Sequence, residues 1–284
     1  MTNISIGIPD SFLMESQSLL DKSIKIAQLA RACSIFRVKN IFIYKDKSSK
    51  CDPQDAKIMK MILEYLDTPP YLRKKLFPQV WILKFAGMLP PIKSPHHKTK
   101  ISIRHLKIGD IRVGAVFKKD GNTYVDVGLD APIRLNEKEP TGKKILVKIN
   151  SKQHEISGSE INPDRLNGYW GYSVSFFRSL GELLSTRKSD ELILTSINGR
   201  EISKNDLLES LKNKIGSIED LLVVFGSPKN GLGKIISSEG GNDSEYPFIV
   251  NMFPDQGTDT IRVEEAILGS LALLNNYIKL WCKP

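Results

Sequence analysis

Two loops of this sequence have the composition and the position needed to hold a ligand. The later loop runs from Asn251 to Ile261 and follows a short apolar run, Phe248 to Val250. After Ile261, apolar residues recur at helical spacing. A buried strand, a polar glycine-containing loop and a helix start form the usual ligand position at the carboxyl edge of a parallel sheet. An ordinary strand-to-helix connection is the alternative interpretation of this loop taken alone.

The earlier loop follows the apolar run Leu221–Phe225 and invites comparison with nucleotide-binding motifs. Gly226 and Gly231 have the spacing of a phosphate-binding loop, but Leu232 stands at the position of its lysine. The dinucleotide pattern is incomplete as well, because Ile236 stands at the position of its third glycine. The loop therefore matches neither motif, which argues against a nucleotide hydrolase.

The later loop carries a long motif that resembles a signature of the SPOUT class of RNA methyltransferases. The likeness is greatest to the archaeal and eukaryotic subfamily with an inserted OB-like domain, whose signature reads N-x-x-P-x-Q-G-T-x-T-I-R-x-E-E-A. The matching positions here are Asn251, Pro254, Gln256, Gly257, Thr258, Thr260, Ile261, Arg262, Glu264, Glu265 and Ala266. Further matches at residues 28–38, 68–78, 83–91 and 169–174 extend the resemblance over the whole chain.

This resemblance implies a fold, an activity and a cofactor. The fold is α/β, a parallel-sheet SPOUT fold with a C-terminal trefoil knot and an inserted small OB-like β-barrel. The activity is methyl transfer from S-adenosylmethionine to RNA, with the cofactor held in the knot by backbone groups of three loops. The cofactor-binding positions that it implies are Thr195, Ser196, Phe225, Gly226, Ser227, Asn251, Met252, Gln256, Gly257, Thr258 and Ile261. Glycines at 226 and 257 would let the backbone approach the ligand without a Cβ atom in the way.

The run R-x-E-E-A at residues 262–266 resembles the R-T-E-T-A of bacterial SPOUT enzymes that methylate uridine N3 in ribosomal RNA. It implies a uridine N3 target, which must lose its proton before it can act as a nucleophile. Arg31 and Arg262 could stabilise the anion that forms, and Glu264 could accept the proton. A solvated position for Arg31, and a capping or salt-bridging role for Glu264, are equal alternatives. A non-enzymatic RNA-binding assembly factor that keeps the fold is the other interpretation of the whole motif set.

Residues 93–167 differ in composition from the rest of the chain. They carry 15 Lys and Arg against 9 Asp and Glu, in a chain whose net charge is +9. Short alternating runs at residues 111–117, 123–127 and 145–149 predict a small β-barrel. We therefore expect an α/β domain of residues 1–92 and 168–284, interrupted by a basic barrel that binds RNA.

Basic side chains in and before this segment are the candidate RNA contacts. They are Arg73, Lys74, Lys75, Arg104, Arg112, Lys118 and Lys119. The solvated face of a short helix is an equal alternative for the first three. Phe117 and Tyr124 are the only aromatic residues between positions 93 and 167, so a base-stacking platform does not follow from the sequence.

Periodicity predicts the elements of the α/β domain. Residues 3–8 and 40–44 are expected as strands, with a long helix between them that Ser11 or Asp10 caps and that ends near residue 37. Helices are expected at residues 54–66 and 204–214. A buried strand at residues 192–195 is expected to end at Ser196.

Composition limits the remaining possibilities. A net charge of +9 favours an anionic partner, either nucleic acid or a membrane surface. Apolar runs are too short to span a bilayer and the N-terminus lacks the design of a signal peptide, so a cytoplasmic protein is expected. Apolar residues continue along the last helix, which predicts a homodimer as in SPOUT enzymes. The residues in question are Leu271, Leu274, Ile278 and Trp281.

Neither the cysteines nor the histidines suggest a metal centre. Cys33, Cys51 and Cys282 are widely spaced and are expected as unpaired thiols. His96 and His97 have no acidic or cysteine residue at ligand spacing, so the pair is expected to lie in a linker. We expect no metal.

Overall fold

The computed structural model describes residues 2–135, 139–152 and 156–281. The strands are β1 (Asn3–Pro9), β2 (Val38–Tyr44), β3 (Ile111–Lys119), β4 (Asn122–Asp126), β5 (Ile133–Leu135), β6 (Lys144–Ser151), β7 (Ser157–Glu160), β8 (Ser173–Phe177), β9 (Leu192–Glu201), β10 (Asp220–Val224) and β11 (Ile249–Asn251). The α-helices are α1 (Leu19–Ile35), α2 (Asp55–Asp67), α3 (Pro70–Leu76), α4 (Leu180–Leu184), α5 (Asn205–Ile215), α6 (Leu232–Ser238) and α7 (Val263–Trp281).

Six strands form one sheet in the order β11-β9-β10-β1-β2-β8, and every neighbouring pair is parallel. Strand β1 lies at the centre, where Ile6 pairs with Val223 on one side and with Ile41 on the other. Consecutive residues of β1 and β10 are buried, as expected for strands covered on both faces. The predicted parallel α/β sheet is therefore confirmed.

Five strands form a closed barrel in the order β3-β4-β5-β7-β6. The β5–β7 pair is parallel and the other described pairs are antiparallel. Val116, Val125, Ile133 and Val147 belong to its apolar interior. The predicted small barrel is confirmed, and it includes two strands that the alternating runs did not reveal. These are β5 and β7, which at three and four residues are too short to show a period.

The chain divides into two compact units. One contains residues 1–64, 85–90 and 172–284, and the other contains residues 65–84 and 91–171. Residues 65–84, assigned to the α/β domain from the sequence, group with the barrel instead. The physical reason is α3, whose Leu72 is fully buried in a cluster with Val113, Ala115 and Leu146 of the barrel strands. The Tyr71 hydroxyl also donates to the Val113 carbonyl at 2.7 Å.

The start of α1 differs from the sequence expectation. The helix begins at Leu19, and Ser18 caps it in a reciprocal capping box with Asp21. Ser11 is fully buried in a short 3-10 helix instead, where its hydroxyl donates to Asp46 at 2.7 Å. The expected cap Ser11 and the observed cap Ser18 lie seven residues apart, and the hydrogen-bond partner of Ser11 comes from a distant segment. Helical periodicity alone could not separate them.

Cys33 and Cys51 are free thiols, as expected, and Cys282 lies outside the described residues. Burial, with the neighbouring Asp10 carboxylate, raises the pKa of Cys51 to about 11. None of the helices in the described ranges combines the length and the hydropathy required to cross a bilayer.

Candidate cofactor site

One large cavity lies in the α/β unit, where three segments of the sheet meet. Its volume is about 790 Å³, within the range typical of small-molecule sites. The lining comes from β9 at residues 194–200 and from the loop and helix after β10 at residues 225–234. The end of β11, the loop that follows it and the start of α7 add Asn251, Met252, Phe253, Gln256, Asp259, Thr260, Ile261 and Val263. Both loops singled out in the sequence therefore contribute to the same cavity.

The β9 residues reach the cavity from within a strand and not from a loop. Thr195 and Ser196 were expected to end the strand, but β9 continues to Glu201. The second half of β9 pairs with β11, where Val250 lies opposite Arg200 and Asn251 opposite Glu201. Both predicted residues line the cavity. The Thr195 hydroxyl donates to the Val224 carbonyl at 2.9 Å, which ties β9 to the end of β10.

The loop after β10 is a closed turn with little freedom. The Ser227 N–H donates to the Asn230 carbonyl, and the Asn230 N–H donates to the Ser227 hydroxyl, both at 2.9 Å. A Cβ atom at Gly226 would lie 3.0 Å from the Asn230 carbonyl oxygen and 3.2 Å from the Leu232 nitrogen. A larger residue would therefore crowd the loop backbone, which folds back on itself here.

Hydrogen bonds that involve three residues not singled out in the sequence, Tyr44, Ser48 and Asp46, support this loop. The fully buried Tyr44 hydroxyl donates to the Phe225 carbonyl at 2.6 Å. The Asn230 side-chain amide donates to the Ser48 hydroxyl at 2.9 Å, and that hydroxyl donates to Asp46. Burial opposes ionisation of Asp46, but hydrogen bonds from Ser48 and Ser11 bring its pKa below the usual value. No local motif marks these residues, since their partners lie far away in sequence.

The loop after β11 is held by its own polar side chains. Asn251 donates to the Ile197 carbonyl at 3.0 Å and accepts from the Phe253 N–H at 3.0 Å. The Gln256 amide donates to the Thr258 carbonyl at 2.7 Å. Met252 is buried, and it lines the cavity together with Asn251, Gln256 and Ile261.

Gly257 and Thr258 do not line the cavity, although they belong to the same loop. A Cβ atom at Gly257 would meet no other atom within 4 Å. Packing against the protein therefore gives no reason for a glycine here, and close approach of the backbone to a ligand stays a prediction. Asp255 is the residue of this loop with a left-handed backbone conformation, at a φ of 56°.

The lining suits a cofactor with both polar and apolar parts. Phe225, Met252 and Ile261 supply apolar surface, and the loop after β10 supplies backbone groups. The Ser270 hydroxyl also lines the cavity, is fully buried and has no hydrogen-bond partner among the described atoms. A buried hydroxyl without a partner is costly unless a ligand or water satisfies it.

The two arginines proposed for catalysis are exposed and do not line the cavity. Arg31 lies on α1. Arg262 immediately precedes α7, where its N–H donates to the Glu265 carboxylate at 3.0 Å. Arg262 comes directly after Ile261, which does line the cavity. It also stands at the N-terminal end of α7, where the helix dipole is positive.

Glu264 is placed differently from the expectation that it accepts a proton. It is buried, and its carboxylate lies 3.2 Å from the Lys25 ammonium of α1. The Lys25 ammonium also lies 4.9 Å from the centre of the Phe12 ring. Glu264 does not line the cavity. The contacts support the salt-bridging alternative, in which Glu264 fastens α7 to α1.

Two of the predicted RNA contacts are internal supports of the barrel unit. Arg112 is buried and donates to the carbonyls of Val127 at 2.7 Å and Thr99 at 2.6 Å. Arg73 donates to the Thr68 carbonyl at 2.9 Å and stacks over the Tyr65 ring. Lys75 is exposed and pairs with Asp126. The remaining candidates are exposed, and they are Lys74, Arg104, Lys118 and Lys119.

The histidine pair is not an isolated linker feature. Asp67, His96 and His97 place one ligand-type atom each within 4.8 Å of one another, so the expectation that no acidic residue accompanies the pair is wrong. The buried Asp67 carboxylate lies 3.2 Å from His96 Nε2 and 2.8 Å from the Lys144 ammonium. Burial would raise the pKa of Asp67, but Lys144 and His96 bring it below the usual value. An ammonium already balances this carboxylate, and the absence of a metal stays a prediction.

Comparison with known proteins gives the family. Residues 3–274 match the family described as Putative RNA methyltransferase. The chain is 29% identical to the 28S rRNA (uridine-N(3))-methyltransferase of Drosophila melanogaster over 98% of this chain and 63% of that protein. It is also 29% identical to the protein of the same name from Homo sapiens, over 95% of this chain and 77% of that protein. An uncharacterized protein of Halobacterium salinarum is 27% identical over 95% of this chain and 98% of its own length. This chain thus spans less than two thirds of the Drosophila relative but nearly all of the Halobacterium one. Because the family match covers almost all of this chain, the chain belongs to this family of RNA methyltransferases.

Proposed function

We propose that this chain transfers a methyl group from S-adenosylmethionine to N3 of a uridine in large ribosomal RNA. The observation that carries the proposal is the cavity of about 790 Å³, which the loops after β10 and β11 line with residues of the family motif. The names of the fly and human relatives support the uridine N3 target. The alternative, a non-enzymatic assembly factor, has no comparable support.

The protein's task in this reaction is alignment and charge stabilisation. When bound, S-adenosylmethionine supplies an electrophilic methyl group. Uridine N3 carries a proton, and its loss places negative charge on the neighbouring carbonyl oxygens. Arg262, at the start of α7, is the chain's best candidate to stabilise that charge, with Arg31 as a second. Glu264 is left out as the proton acceptor because it pairs with Lys25. The N3 proton is therefore released to solvent, and S-adenosylhomocysteine is the leaving group.

Three further parts of the proposal rest on the family resemblance. The segment from β10 to α7 is threaded as a trefoil knot around the cofactor. The basic barrel captures RNA, so that it acts as a binding domain inserted into a catalytic α/β domain. Two copies pair through α7, which completes each site.

Methylation mapping tests the function directly. Purified protein is incubated with radiolabelled S-adenosylmethionine and unmodified large-subunit ribosomal RNA, and the product is read by reverse transcription. A methyl group at N3 lies on the Watson–Crick edge, so it should stop the reverse transcriptase one nucleotide before a single uridine. Calorimetry with S-adenosylhomocysteine is run in parallel.

The outcomes separate the two functions. Cofactor binding with a cofactor-dependent stop at a uridine supports the enzyme. Label transfer without any stop would contradict N3 as the target atom, because it would place the methyl group off the Watson–Crick edge. RNA binding with neither cofactor binding nor label transfer would favour the assembly factor.

A further inference from the structure

Three side chains from neighbouring barrel strands form a row across the barrel surface. Phe117 of β3 pairs in register with Tyr124 of β4, and Tyr124 pairs with Arg134 of β5. The Phe117 and Tyr124 rings are stacked, with centroids 6.0 Å apart and an interplanar angle of 24°. Neighbouring strands lie about 4.8 Å apart, so the row extends for about 10 Å.

The row faces outward, because the residues next to it face inward. Val116, Val125 and Ile133 are the sequence neighbours of the three row residues and lie in the barrel interior. Successive residues of a strand point to opposite faces, which places the row on the outer surface. The two aromatic side chains are half-buried and Arg134 is exposed, so part of each side chain is accessible to a ligand.

The charge around the row favours an anionic occupant. Lys118 and Lys119, at the end of β3, are exposed next to Phe117. Residues 93–167 carry 15 Lys and Arg against 9 Asp and Glu. A protein partner that docks through aromatic contacts alone would not need this excess of positive charge. Nucleic acid uses both features, since bases stack on aromatic rings and phosphates pair with cations.

We propose that Phe117, Tyr124 and Arg134 form a base-stacking site for unpaired nucleotides of the RNA substrate. The inference rests on the proposed function and makes it more specific: the barrel recognises a single-stranded segment and not only the charge of the backbone. The row is long enough for about two bases, and the guanidinium plane of Arg134 extends the aromatic surface at one end. Duplex RNA cannot offer its base faces to such a surface.

The test measures RNA affinity of the full chain by fluorescence anisotropy. The probes are a labelled oligouridylate of about 12 nucleotides and a hairpin duplex of similar charge. The variants are Phe117→Leu and Tyr124→Leu, which keep apolar volume but remove the ring, and Tyr124→Phe, which keeps it. Phe176→Leu is the matched control, since Phe176 is 48% exposed on a strand of the α/β unit.

Each leucine substitution should weaken oligouridylate binding about tenfold and leave duplex binding unchanged. The dependence of affinity on salt should stay the same, because the phosphate contacts remain. Tyr124→Phe should bind as the wild type does, and so should the Phe176→Leu control.

Two results would overturn the inference. Equal oligouridylate affinity of the leucine variants and the wild type, with melting temperatures lowered, would make the row a sheet-stabilising pair only. An equal loss of affinity for the single-stranded and duplex probes would show that the row recognises RNA shape and not unpaired bases. Methylation by the wild type, measured separately, decides the proposed function whichever result is obtained.

Discussion

At the scale of single residues, Gly226 and Gly257 look equivalent in the sequence but differ in their surroundings. A Cβ atom at Gly226 meets the backbone of the loop after β10, whereas one at Gly257 meets nothing. We therefore expect Gly226→Ala to displace the loop and weaken S-adenosylhomocysteine binding about tenfold, or ~1.4 kcal/mol. Gly257→Ala should bind as the wild type does in the same calorimetric titration. A loss of affinity in Gly257→Ala but not in Gly226→Ala would place the ligand away from the loop after β10.

Tyr44 gives a second prediction at this scale. Tyr44→Phe leaves the buried Phe225 carbonyl without its donor, which should cost about 1–3 kcal/mol of unfolding free energy. Because that carbonyl belongs to a residue that lines the cavity, cofactor affinity should fall as well. Tyr172→Phe is the control, since its buried hydroxyl donates to the Leu63 carbonyl at 2.9 Å, outside the cavity lining. It should lose comparable stability in urea unfolding but keep cofactor affinity; an equal loss of affinity in both variants would contradict the assignment.

Asp67 predicts a dependence of stability on pH. The pKa of Asp67 in the folded chain is below its ordinary value of 3.8, so the ionised carboxylate stabilises the fold above about pH 4. This contribution is lost as the pH falls through the lower, folded pKa. Urea unfolding should therefore show Asp67→Asn less stable than the wild type at pH 7, with the difference shrinking towards pH 3. The exposed Asp206→Asn should change stability little at either pH, since surface ion pairs contribute little. A difference for Asp67→Asn that does not change with pH would exclude its charge as the cause.

Much of the candidate site was predictable at the residue scale, and the exceptions have a common cause. The family resemblance identified Asn251, Met252, Gln256 and Ile261, all of which line the cavity. It could not identify Tyr44, whose partner Phe225 is 181 positions away. A motif reports which residues recur together along the chain. It does not report which distant donor satisfies a loop carbonyl. Nor does it report that Glu264 forms a salt bridge with Lys25.

At the scale of elements, the contact between α1 and α7 depends on a buried charge pair. Lys25 of α1 and Glu264 of α7 are both buried, so removing one partner leaves the other uncompensated. Lys25→Met or Glu264→Gln should each cost about 3–5 kcal/mol in urea unfolding, and the double variant less than the sum. Single-turnover methylation by Glu264→Gln, at a temperature where it remains folded, should keep near wild-type rates. A rate loss of a hundredfold or more in the folded variant would restore Glu264 as a proton acceptor.

Elements with a strong period were predicted well, and elements fixed by distant partners were not. The apolar residues of α7 fall at helical spacing, and Val263, Ile267, Leu271, Leu274 and Ile278 are buried as expected. Strand β9 was expected to stop at Ser196, after the apolar run that begins at Leu192. Pairing with β11 extends it to Glu201, and the sequence of β9 alone contains no sign of that partner.

At the scale of the whole molecule, the sequence predicted the two architectures but not which residues belong to each. Alternation of strands and helices predicted the parallel sheet, and short alternating runs predicted the barrel. Residues 65–84 were assigned by their position before the basic segment. The structure groups them with the barrel because Leu72 is buried there. Composition marks where a basic segment begins, whereas a unit boundary depends on which core buries each apolar side chain.

The proposed homodimer is tested at this scale, and the structure changes the residues that should carry it. Pairing was predicted from four residues; three of them, Leu271, Leu274 and Ile278, are buried within the chain, and Trp281 is half-buried. Helix α7 also exposes Leu268, at 47%, and Leu280, at 62%. We expect light scattering at micromolar concentration to give twice the chain mass of 31.9 kDa.

Placing a charge at each exposed leucine, as Leu268→Glu with Leu280→Glu, should give the monomer mass with little change in melting temperature, because neither side chain is in the core. Ile108→Glu, which alters an equally exposed residue in the barrel unit, should leave the dimer intact. A wild-type chain that scatters as a monomer would refute pairing, and a dimer that survives both glutamates would place the interface away from α7.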